Sequence, residues 1–172
     1  MSNRWLRWVH QPGDGRPAAF ALAEAGDAER IRRQAQEAVI AFGEEVQGAP
    51  HSDGLARALD AYQAATMALD QAKSVVDLAG VLVLVNQGRG GPPLCLFNPL
   101  HGPSARLVSW RLIARWQTVQ AVLPDTVDGE RVPYLDVDPR RSVWAATGFG
   151  VFSDDLIDRI LRGDLRRRRA GA

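Results

Sequence analysis

An α+β domain is the fold class this sequence predicts: an N-terminal hairpin and an antiparallel helical pair packed on a small, mainly antiparallel sheet, closed by a C-terminal helix. Three observations predict it. Two amphipathic helical periods lie between Asp27 and Lys73, the run Leu78 to Val85 is apolar on both faces, and residues 105–110 alternate as a strand does. A length of 172 residues suits one domain and is short for two. The expected division is a single domain over residues 1–163 and a flexible arginine-rich tail over 164–172.

The segment Arg4-Trp5-Leu6-Arg7-Trp8-Val9-His10 is rich in strand formers, Pro12-Gly13-Asp14-Gly15 is a turn signal, and Ala18 to Ala23 is a second apolar run. Together they read as a β-hairpin. The competing reading is an interfacial helix that presents Trp5 and Trp8, for which the segment is short.

Asp27 to Gln47 is the clearest helix, with Asp27 as cap and Gly48-Ala49-Pro50 as stop. Ile31, Ala35, Ala38, Val39, Phe42 and Val46 fall on one stripe, leaving Arg32, Arg33, Gln36 and Glu44 to water. A second helix starts at Ser52 and runs to about Lys73, with Leu55, Leu59, Tyr62, Ala65 or Thr66, and Leu69 as its stripe. The short connection between the two predicts an antiparallel helical hairpin.

Leu78 to Val85 reads as a central strand buried on both sides, followed by a Gly88–Pro93 loop and a neighbouring strand Leu94-Cys95-Leu96-Phe97. Residues 105–110 predict another strand. Residues 111–124 fit a helix through Ile113, Trp116, Val119 and Leu123, or a strand through Val119, Ala121 and Leu123, and the strand is preferred. The last element opens at Ser153-Asp154-Asp155, carries Leu156, Ile157, Ile160 and Leu161 on one stripe, and stops at Gly163.

The bulk properties narrow the function. With 46% hydrophobic and 24% charged residues the chain can build a core without metal or crosslink. A single cysteine, Cys95, excludes an intramolecular disulfide. No secretory signal opens the chain, and the longest apolar run, Leu78 to Val85, is far short of the roughly 20 residues that cross a bilayer. A cytoplasmic protein without a membrane partner is expected. Net charge is +1, and Arg162, Arg166, Arg167, Arg168 and Arg169 against Asp164 leave the rest of the chain mildly acidic, unlike a broad phosphate-tracking surface.

Cys95-x-Phe97-Asn98-Pro99-x-His101-Gly102-Pro103 is the densest motif. The two prolines force bends on either side of His101, so the imidazole sits at a tight turn off a sheet edge. Cys95 and His101 can serve as nucleophile and base, because an imidazole lowers a thiol pKa. The structural alternative is a buried thiol and a histidine that bonds nearby carbonyls.

With Asp77-Leu78-Ala79-Gly80-Val81-Leu82-Val83-Leu84 before it and Trp144-x-x-Thr147-Gly148-Phe149-Gly150 after it, this motif resembles a family of uncharacterised actinobacterial proteins over residues 55–162. The resemblance implies no activity. It implies a zinc site only where a further cysteine pair lies downstream of the histidine. This chain lacks that pair, so neither metal nor cofactor is expected.

Other motifs are weaker. Asp125, Asp128, Glu130, Asp136 and Asp138 lack the order of a calcium loop and read as solvated turn residues. Gly88-Arg89-Gly90-Gly91 lacks the Gly-Lys-Ser/Thr ending of a phosphate loop. Arg166, Arg167, Arg168 and Arg169 can hold phosphate by charge alone. Among five tryptophans, Trp5 and Trp8 suit a partner surface best.

The leading expectation is therefore a non-catalytic interaction module, self-associating or binding a protein partner, with Trp5, Trp8, Asn98 and His101 as contact residues. One alternative is a small hydrolase or transferase built on His101 with Cys95, Asp136 or Asp138. The other is nonspecific nucleic-acid association through the arginine run.

Overall fold

The computed structural model describes residues 18–94, 99–103, 106–111, 118–123, 142–151 and 153–165. The first helix, α1 (Ala18–Gly48), contains the anticipated stripe: Ile31, Ala35, Val39, Phe42 and Val46 are buried. It also begins earlier than expected. Ala18 to Ala23, expected as a hairpin strand, are its opening turns, and the hairpin's first arm with Trp5 and Trp8 lies outside the described residues. Arg32, expected in water, is half-buried and donates from Nη2 to the Ala72 carbonyl at 2.9 Å. Ala72 closes the C-terminus of the next helix, where carbonyls lack intrahelical partners and attract cations.

That helix, α2 (Asp53–Gln71), turns a different face inward from the one the large residues suggested. Ala61, Ala64, Ala65 and Ala68 are buried, while Leu55, Tyr62 and Leu69 are half-buried and Leu59 is exposed. α2 packs against α1, α3 (Val75–Gly88) and α5 (Leu156–Leu161). Small side chains let three neighbours approach one helix closely, and the larger residues straddle the edges of that contact.

The largest correction concerns α3. Leu78 to Val85, expected as the central strand, is helical, and Leu78, Ala79, Gly80, Val81, Val83, Leu84 and Val85 are all buried in it. A helix apolar on every side is a buried helix, and a continuous apolar run does not by itself separate that case from a strand. The deciding local feature is the start. Ser74 caps the helix in extended geometry and Asp77 stands three residues on, so each side chain bonds the other's backbone N–H in a reciprocal capping box. That box, with cover from α1 and α2, outweighs the strand preference of Val81, Val83 and Val85.

The second half of the chain adds short elements. Leu94 pairs with Pro103 in an isolated antiparallel bridge, and a single 3-10 turn, Pro99–His101, lies between them. The strand expected at 94–97 is represented among the described residues by Leu94 alone. The strand reading at 105–110 corresponds to β1 (Arg106–Arg111), and within the ambiguous stretch 111–124, where a strand is preferred, lies β2 (Thr118–Leu123), antiparallel with Arg106 opposite Leu123 and Arg111 opposite Thr118. These two strands pair with each other, and the described core is drawn from the helices and their connections. No sheet underlies the helices among the described residues, so the expected α+β layering is replaced by helix-on-helix packing.

α4 (Val143–Thr147) begins at Ser142, whose Oγ accepts from the Ala145 N–H at 3.4 Å. It ends in a left-handed run in which Gly148, Phe149 and Gly150 have φ of 55°, 52° and 82°. Phe149 is the non-glycine in that region, held by its stack on Trp144 at 5.8 Å between ring centroids. α5 follows with the expected stripe, burying Leu156, Ile157 and Ile160 against α2 and α4.

Candidate functional site

Where α2 hands over to α3, a buried carboxylate organises the fold. Asp77 is 6% exposed. Its Oδ2 accepts from the Lys73 N–H at 3.0 Å, the Ser74 N–H at 3.1 Å and the Ser74 hydroxyl at 2.9 Å. Its Oδ1 accepts from the Trp144 indole Nε1–H at 3.0 Å, across 67 residues of chain. Each oxygen thus has a donor within the fold, and the buried Trp144 N–H has its acceptor. The carboxylate pins the start of α3 to α4, with both of its oxygens hydrogen-bonded within the fold.

Trp144 can reach this position because of Gly80. A Cβ built on Gly80 would lie 2.5 Å from the indole Cη2, so only a glycine allows the ring to lie on α3. The indole is 1% exposed, with α3 on one side and the Phe149 ring on another. Beside this junction opens a cleft of about 520 Å³, its rim formed by Asp70, Lys73, Ser142, Asp164 and Leu165.

At the opposite end of α2 a more open groove of about 470 Å³ runs past Phe42, Val46, Ser52, Leu55 and Arg89. Arg89 caps α3 and reaches α1, where Nε and Nη2 donate to the two carboxylate oxygens of Glu45 at 2.8 and 2.6 Å. The same guanidinium lies 5.6 Å from the centre of the Phe42 ring. Hydrogen bonding from Arg89 holds the Glu45 carboxyl below its usual range. Both side chains are well exposed, so the pair fixes a corner without adding much stability.

A third feature lies on the outer side of the seam between α1 and α2. Tyr62 packs on Gly43 so closely that an added Cβ would lie 2.8 Å from its Cε2, and it meets the Phe42 ring edge-on at 6.2 Å. Ile40 stands three residues before Gly43, and Leu59 three before Tyr62; residues three apart share a helix side, so both flank this contact. Ile40 is 63% exposed and Leu59 48%.

Of the residues nominated from sequence, His101 is the one among the described residues. His101 ends the 3-10 turn, exposed, and lines neither the cleft nor the groove. Cys95, Asn98, Asp136, Asp138, Trp5, Trp8 and Arg166 to Arg169 lie outside the described residues. Among the described residues no three His, Cys, Asp or Glu side chains gather as a metal would require. Asp77 and Ile40 carried no sequence nomination. The spacing Ser74-x-x-Asp77 was the available signal for the first, and the alanine stripe of α2, offset from its leucines, for the exposure of Leu59. Comparison with protein-family models, curated proteins and solved structures returns no match. No described helix is long and apolar enough to cross a membrane.

Proposed function

We propose that this chain is a non-catalytic interaction module that self-associates through the outer side of the α1–α2 seam. The exposure of Ile40 and Leu59 on adjoining turns of two packed helices carries the reading. Large aliphatic side chains left in water on a rigid surface recover about 25 cal/mol for each Å² of apolar area that a partner covers. Tyr62 between them adds an aromatic of the type that anchors contact surfaces.

The length of α1 supports the same reading. It has 31 residues, against 19 in α2 and 14 in α3, so neither described neighbour can run beside all of it.

Light scattering across a concentration series tests the proposal, with an Ile40→Glu, Leu59→Glu double variant as comparison. The expected result is a wild-type mass that rises with concentration beyond one chain, and a variant that stays at one chain with an unchanged circular dichroism spectrum. A wild type that remains a single chain at every concentration overturns it.

A further inference from the structure

We draw no further inference here: the strongest candidate, the cleft between the α2–α3 turn and the Asp164–Leu165 turn, offers an acidic lining whose buried member, Asp77, is already hydrogen-bonded within the fold, and no second observation in the structure points to a ligand for it.

Discussion

At the Asp77–Trp144 junction the carboxylate, the Ser74 hydroxyl and the indole N–H all find partners inside the fold, whereas on the outer α1–α2 seam large apolar side chains stand largely uncovered. The two regions lie on the same helical body and divide its work. The junction ties together segments 67 residues apart and has little chemistry left over. The outer side of the seam keeps the apolar area of Ile40 and Leu59 available. The difference teaches that burial of a titratable group is not a functional signal when each of its oxygens has a donor within the fold.

The comparison breaks most readily at Asp77. Replacing it with alanine removes the capping box and leaves the Trp144 N–H and two backbone N–H groups without their acceptor, a loss of about 3 kcal/mol or more from those combined terms. Urea unfolding should show it as a large fall in midpoint. A loss below about 1 kcal/mol, the scale of one ordinary hydrogen bond, would mean that the junction is not structural.

Gly80 sharpens the point through a change of sign. Gly80→Ala should destabilise by about 1–3 kcal/mol, because its Cβ is driven into the indole and overpacking outweighs the gain in helix propensity. Gly26→Ala on α1, where no atom lies within 4 Å of an added Cβ, should stabilise by about 0.5–1 kcal/mol. Equal effects in thermal unfolding would contradict the close packing of Trp144 on α3.

On the seam the expectation reverses. Ile40→Glu and Leu59→Glu should each leave the unfolding free energy of the single chain within about 0.5 kcal/mol of wild type, as surface changes do. A larger loss in dilute solution would place these residues in the core of the fold rather than on its surface.

The smallest effect is on the acid limb. Hydrogen bonds from Ser153 and then from Arg159 hold the Asp155 carboxyl below its usual range. A carboxyl depressed in the folded state contributes stability that is full above its unfolded pKa and is lost as pH falls through the lower, folded value. Asp155→Asn should therefore lower the urea midpoint slightly at neutral pH and converge with wild type below the carboxylate range. A gap that persists in acid would assign the effect to packing.

Sequence periodicity locates α5 and the Asp27–Gln47 part of α1, where a strong stripe stopped by glycine leaves one reading, and misses the opening turns of α1 from Ala18. It fails at α3, where an unbroken apolar run has no period to read and valines argue for a strand. There the decisive information is two residues outside the run, Ser74 and Asp77. It fails differently at α2, where leucine and tyrosine mark a stripe but four alanines are what the neighbouring helices select. That choice depends on how many helices must approach at once, which is a tertiary fact. Of the candidate surface, Leu59 reads as part of the apolar stripe, and its exposure follows only once the alanine stripe is known to face the neighbouring helices. The Asp77–Trp144 bond links distant segments and has no local pattern at all.

A dilution series followed by amide and indole resonances compares the two regions in one sample. The expected result is concentration-dependent movement of signals from residues 36–44 and 55–63 around Ile40 and Leu59, with the Trp144 indole resonance unmoved. Signals that stay fixed along the seam from the highest to the lowest concentration would contradict self-association through this face.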